Sequence, residues 1–286
     1  MSQWVGVHGI AQEQLGRAEI LKEWIPALAD GVEWATGRRI APDLDLAFYG
    51  HLFRRADLPD YEPKERKKGS ADSGPSAWLA GLDEAEAAAL SAAVLEIVKP
   101  SDLAAAGQVS PVKGLPLWLP AWAVTSIGAI ERRFPNGSGI YFLWVIEQVR
   151  RYLLEEKLKA EIDQIAAQAA DGATVLIGHS LGSVVAYEYL RQHPGHSVRL
   201  LLTLGSPLGL RMFRDRLPDG DPGVPAWVNI RDPHDPVAAA GRLSRWYPVT
   251  REPRGNGGFV PHSAERYLNF KATGAALRDF LPEADR

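Results

Sequence analysis

Thr174-Val175-Leu176-Ile177, then Gly178-His179-Ser180-Leu181-Gly182, then Ser183-Val184-Val185-Ala186-Tyr187-Glu188-Tyr189-Leu190: this stretch decides the fold. The first block is apolar and β-branched, as a buried strand should be. The last reads as a helix. Between them stands G-x-S-x-G, and a strand, a tight turn bearing serine and a helix form the context in which that pattern has a structural meaning. The turn forces the serine into strained backbone geometry. The flanking glycines, lacking Cβ, let helix and strand approach closely.

Working outward, the chain repeats the strand-and-helix theme. Downstream, residues 198–204 read as a strand ending at Gly205-Ser206-Pro207. Residues 226–230 read as another, ending in Arg231-Asp232-Pro233-His234-Asp235-Pro236-Val237. Residues 246–250 give a candidate last strand and 263–281 a closing helix. Upstream, residues 4–8 read as a first strand ending in His8-Gly9, 14–29 as a helix and 44–49 as a second strand closed by Gly50. Strand, helix, strand in so short a span predicts an α/β protein whose parallel sheet is joined by crossover helices.

The core is therefore expected in residues 1–50 and 172–286, with 51–171 as an insertion. Within it, 60–76 is polar, basic and rich in turn formers, and reads as a mobile, solvated loop. Asp83 and Glu86 have capping-box spacing at the start of an Ala-rich helix that Pro100 stops. Residues 115–124 are apolar and aromatic but broken by Pro116 and Pro120. That pattern suits a lid or pocket wall, with Trp118 and Trp122 toward an apolar substrate, and equally suits packing on the core. Residues 141–170 carry a long helical pattern leading into the serine strand.

Composition narrows the class. The 286 residues allow one large domain or two small ones, and 46% hydrophobic with 23% charged is ordinary for a soluble globular chain. A net charge of −3 gives no reason to expect nucleic acid or an anionic membrane as the main partner. The chain has no cysteine, which excludes disulfides, thiolate metal sites and a cysteine nucleophile. Residues 1–9 lack a basic start followed by an apolar run, and no run approaches the roughly 20 residues of a membrane span. A cytoplasmic protein without stable membrane insertion is expected. Composition does not bear on oligomeric state.

A serine hydroxyl needs a base to become a nucleophile near neutral pH, and the base needs an acceptor that fixes its tautomer. His262, in the loop before the last helix, is the candidate base for Ser180. His193 and His196 lie on the loop leaving the serine helix, and His234 lies between two carboxylates. His179 is expected to pack against the sheet and His8 to order the loop after the first strand. The acid is Asp235 or Asp232. The loop position of Asp235 gives it the better reach toward His262. An oxyanion needs two backbone amides, and Leu181 and Ile10 are the candidates.

Val7-His8-Gly9-Ile10, Gly178-His179-Ser180-Leu181-Gly182, Gly205-Ser206-Pro207-Leu208, Asp232-Pro233-His234-Asp235-Pro236-Val237 and His262 together resemble the α/β-hydrolase superfamily of esterases, lipases and thioesterases. The resemblance covers the two core blocks and not the insertion. It implies the chain order serine, acid, histidine, met here by Ser180, Asp235 and His262, and a segment like D-x-x-D-P-V supplies its acid from the second Asp. One departure is plain: the family's oxyanion strand is usually its third, and here it is the first. A trimmed, mostly parallel sheet of about six strands with a helical lid is therefore implied. The implied activity is cleavage of a carboxylic ester through an acyl-enzyme, with no metal and no cofactor. The implied partner is a small-molecule ester or thioester. A thioesterase or acyltransferase would use the same residues. A non-catalytic ligand-binding module on the same fold is the alternative of another class.

Overall fold

The computed structural model describes residues 4–10, 12, 15–53, 77–107, 119–135, 138–217 and 221–281. The loop expected at 60–76 and Trp118 lie outside the described residues. Five strands form one sheet: β1 (Trp4–Val7), β2 (Leu44–Ala47), β3 (Val175–His179), β4 (Leu200–Leu204) and β5 (Ala226–Ile230). Their order is β2-β1-β3-β4-β5 and every pairing is parallel. β3 and β4 are buried at every position, as strands covered on both faces must be.

The helices follow in chain order: α1 (Arg17–Thr36), α2 (Glu84–Ile97), α3 (Pro100–Ala106), α4 (Ala121–Arg133), α5 (Ser138–Leu154), α6 (Glu156–Ala170), α7 (Leu181–Gln192), α8 (Arg211–Arg214), α9 (Ala264–Asn269) and α10 (Lys271–Leu277). α1 packs with α9 and α10 over one face of the sheet. There Trp24 and Leu28 join Val175 and Ile177 of β3, Leu202 of β4, Ile230 of β5, and Tyr267 and Leu268 of α9 in one buried cluster. Residues of the other parity face α7, where the Tyr187 and Trp227 rings lie 5.4 Å apart. The architecture is α/β, with a parallel sheet between helices.

Strand order fixes where a ligand belongs. From β1 the chain moves outward to β2, then returns to β3 on the other side of β1 and moves outward again. The direction reverses between β1 and β3. In doubly wound sheets the loops beyond the carboxyl ends of two such strands part and leave a crevice, where ligands bind. Gly9-Ile10 follows β1 and Ser180 follows β3.

Three elements differ from the pattern read in the sequence. Residues 246–250 form no strand. The chain turns at Leu243–Arg245 and then runs beside β5 with only isolated parallel bridges, Val228 to Arg251 and Arg231 to Arg254. Pro248 and Pro253 have no amide to donate, so a continuous ladder cannot form. The described sheet thus has five strands where six were expected. The long helical pattern breaks at Glu155, which leaves the helical region with φ −86° and ψ 94°. The closing helix breaks at Phe270, with ψ 138°, and its ring takes the space beside Gly255.

The chain divides into two compact units, Met1–Arg54 with Gln148–Arg286, and Arg55–Glu147. The first holds the sheet. It also holds α6, which packs on α7, β1 and β2, although the sequence reading set α6 in the insertion. In the second, α4 packs on α2 and α3. The capping box forms as spaced, with Glu86 N donating to Asp83 Oδ1 at 2.8 Å and Asp83 N to Glu86 Oε2 at 2.9 Å. Among the described residues no helix is long and apolar enough to cross a membrane.

Candidate active site

Ser180 ends β3 and caps α7 with φ 54° and ψ −125°, the one non-glycine residue of positive φ among those described. Such a backbone costs of order 1–3 kcal/mol, and persists only where its surroundings impose it. Here they do. Ser180 N donates to Leu204 O at 3.0 Å, and Ser183 Oγ donates to Ser180 O at 2.6 Å. Ser183 Oγ also lies 2.7 Å from Ser206 Oγ, which accepts from Leu208 N. A Cβ on Gly178 would come within 2.6 Å of Ser183 Cα, and one on Gly182 would strike the carbonyl oxygens of Val7 and His8. The turn is therefore wedged between the ends of β1 and β4. Ser180 Oγ is buried and has no hydrogen-bond partner among the described residues.

The loop after β1 reaches the same point. A Cβ on Gly9 would lie 2.8 Å from Ser180 Cβ. His8 fixes this loop. Its Nε2 accepts from Tyr49 N at 3.0 Å, so the ring proton is on Nδ1, which donates to Gly9 O at 2.5 Å. Tyr49 donates its hydroxyl to His8 O, and the two rings stack at 4.1 Å. Burial pushes the His8 imidazole down to about 4, so it stays neutral. Ile10, next in the chain, is buried. Leu181 opens α7, and its amide is among the first in a helix that have no partner within it. The segments carrying these two amides meet at Ser180.

On the far side of the sheet end stand the acid and the imidazole. His262 Nδ1 donates to Asp235 Oδ2 at 2.6 Å, and both side chains are buried. Asp235 Oδ1 accepts from Val237 N at 2.9 Å. Asp232 does different work. Its Oδ1 accepts from His234 N at 2.8 Å and its Oδ2 from Gly257 N at 2.5 Å, so it closes its own turn and tethers the loop that leads to His262. The structure brings Asp235 to His262 and Asp232 to backbone amides.

His179 links the serine turn to the histidine loop. Its Nε2 donates to His262 O at 3.1 Å, and the two rings lie 4.8 Å apart. Burial, and then the neighbouring His262, hold His179 well below the usual imidazole range, so it is a neutral donor. Gly205, with φ 55°, supplies the remaining space: a Cβ there would stand 2.9 Å from Asp235 Oδ2 and 3.2 Å from His262 Cε1. Ser180, His179, Asp235 and His262 thus lie together at the carboxyl ends of β3, β4 and β5.

Other candidates fall elsewhere. His193 is bonded to Tyr189 O at 2.8 Å and His196 to Pro222 O at 2.9 Å. Trp122 is half-buried on α4, in the second unit. Among the described residues no group of three or more His, Asp or Glu could hold a metal ion. Sequence reasoning did not single out Tyr267 or the Ser183–Ser206 pair. Tyr267 shows in the sequence only as a helical aromatic five residues past His262. Its hydroxyl donates to Asp235 Oδ2 at 2.8 Å and accepts from Asp232 N at 2.9 Å.

Chemically, the arrangement offers a buried hydroxyl on a strained turn and a carboxylate-bound imidazole whose ring lies 4.8 Å from that of His179, the residue before the serine. Compared with known protein families, with curated proteins and with solved structures, the chain gives no match.

Proposed function

We propose that the protein is a serine hydrolase of the α/β-hydrolase type, cleaving a carboxylic ester through an acyl-enzyme. The observation that carries the reading is the conjunction of Ser180 at φ 54° on the β3–α7 turn with the 2.6 Å Asp235–His262 contact on the same sheet edge. A structural turn has no need of a strained serine. The sheet's reversal point falls at the same place, which supports the reading independently of the motif.

In this mechanism Ser180 Oγ attacks the ester carbonyl carbon and gives its proton to His262 Nε2. The amides of Ile10 and Leu181 stabilise the oxyanion, helped by the N-terminal end of the α7 dipole. Asp235 holds the Nδ1–H tautomer and stabilises the imidazolium. The bond to the alkoxide breaks, His262 protonates that oxygen, and the alcohol leaves. Water then loses a proton to His262 and adds to the acyl carbon. The carboxylic acid departs as Ser180 Oγ recovers its proton. On this reading the five-stranded sheet is a trimmed hydrolase sheet. The lid is assigned to the insertion at residues 51–171 from its place in the sequence.

The test is labelling with a fluorophosphonate and mass-spectrometric mapping, with p-nitrophenyl acetate turnover alongside. Wild type is expected to carry the adduct on Ser180, and His262→Ala to lose it. Ser180→Ala should remove turnover by at least ~10³-fold while the protein stays folded. A folded wild type that takes no label, or a Ser180→Ala protein that still turns over, overturns the reading.

A further inference from the structure

Tyr267 holds a position that the mechanism above does not use. Its ring is fully buried in the cluster between α1 and the sheet, and its hydroxyl leaves that cluster to stand between the two aspartates. Because the hydroxyl oxygen already accepts from Asp232 N at 2.9 Å, its proton is committed to Asp235 Oδ2 at 2.8 Å. That same oxygen, Oδ2, receives His262 Nδ1. One carboxylate oxygen is thus shared between an imidazole and a phenol. We infer that Tyr267 is a positioning residue that sets the basicity of His262 through Asp235. The inference rests on the serine hydrolase reading.

The physical argument concerns charge density. A carboxylate oxygen that accepts two hydrogen bonds spreads its charge over both donors. The phenol therefore weakens the pull of Asp235 on the imidazolium. Burial, and then the nearby Asp235 charge, keep the Tyr267 phenol well above its ordinary range, so it remains a donor throughout. The groups facing His262 are few. Asp235 comes from the loop after β5, and neutral His179 from β3. Tyr267 comes from α9, and Ser180 stands on the β3–α7 turn beside His179. The Asp232 carboxylate is turned away, onto Gly257 N and His234. The phenol thus competes with His262 for Oδ2.

The experiment is the rate of fluorophosphonate labelling at Ser180 as a function of pH, which needs no knowledge of the substrate. Three proteins are compared: wild type, Tyr267→Phe, and Tyr267 replaced by 3-fluorotyrosine. The last is nearly isosteric and a stronger donor. Removing the donor should raise the midpoint of the acid limb by about 0.5–1 pH unit, part of the roughly 1–2 units that one hydrogen bond to a charged group is worth, because the phenol acts on the imidazole only through the carboxylate. The fluorinated ring should lower the midpoint. A purely structural role would reduce the fraction of folded protein and leave both midpoints where wild type has them. Midpoints unmoved in the fluorotyrosine protein overturn the inference even if Tyr267→Phe does not fold. Labelled wild type with unmoved midpoints overturns the role of Tyr267 alone, whereas unlabelled, folded wild type overturns this inference and the hydrolase reading together.

Discussion

A carboxylate bound to an imidazole and a carboxylate bound to backbone amides fail in different ways when neutralised. Asp235 and Asp232 are three residues apart, both fully buried, and joined through the Tyr267 hydroxyl. In Asp235→Asn one side-chain oxygen becomes an NH2, and with the remaining oxygen kept toward Val237 N that NH2 faces His262 Nδ1 and Tyr267, so the wrong tautomer of His262 is favoured. Fluorophosphonate labelling should then fall by about 10³- to 10⁴-fold with little loss of stability. In Asp232→Asn one side-chain oxygen becomes a donor, so either Gly257 N or His234 N loses its acceptor. That should destabilise the fold by about 1–3 kcal/mol, seen as a lower urea midpoint, while Ser180 still labels. If the two variants exchange these phenotypes, the assignment of acid and tether is reversed.

At the scale of the element, the serine turn depends on how closely α7 approaches β1. A methyl on Gly182 would strike the carbonyl oxygens of Val7 and His8, which are backbone and cannot move aside alone. Gly182→Ala should cost about 1–3 kcal/mol or more and abolish labelling, because relief requires α7 to withdraw from the loop bearing Ile10. Gly195→Ala, just past the other end of the helix and with nothing within 4 Å, should leave the thermal midpoint within a degree or two and labelling unchanged. Equal effects at both positions would show that the loss does not come from the contact with β1. This element was legible in the sequence for the same reason that it is sensitive. Its strand, turn and helix are adjacent in the chain, and Gly178 meets Ser183 and Gly182 within the same stretch, whereas the contact of Gly182 with Val7 and His8 joins segments far apart in the sequence. The breaks at Glu155 and Phe270 were not legible, because the apolar spacing continues through each and only packing decides where the helix bends. The absent sixth strand was legible in part: Pro248 and Pro253 each remove a donor, but residues 250–255 still run along β5 and bond to it. Tyr267 was invisible as a polar residue, since nothing in a helical aromatic announces which carboxylate its hydroxyl will meet.

For the whole molecule, two buried imidazoles serve as clasps across the carboxyl end of the sheet. His8 joins the end of β1 to the end of β2 through Tyr49, and His179 joins β3 to the loop bearing His262. The His8 clasp requires a neutral ring, because its Nε2 accepts from Tyr49 N. A protonated His8 would present two donors, and Tyr49 N would lose its acceptor. Burial lowers His8 from an ordinary value near 6.5 to about 4. Its unfolded form therefore binds a proton at a higher pH than its folded form. The stabilisation from His8 is fully present above about pH 6.5 and is lost progressively as pH falls to about 4. A difference of that size amounts to roughly 3 kcal/mol, and His179, shifted in the same direction, adds to the same slope. Urea unfolding at intervals between pH 7 and pH 4 should show stability falling steadily across this window. Over the same range, ¹⁵N shifts of His8 should report a neutral ring with its proton on Nδ1 until the pH nears 4. A stability curve flat between pH 6.5 and 4, or a His8 ring that titrates at its ordinary value, would mean that water reaches the clasp.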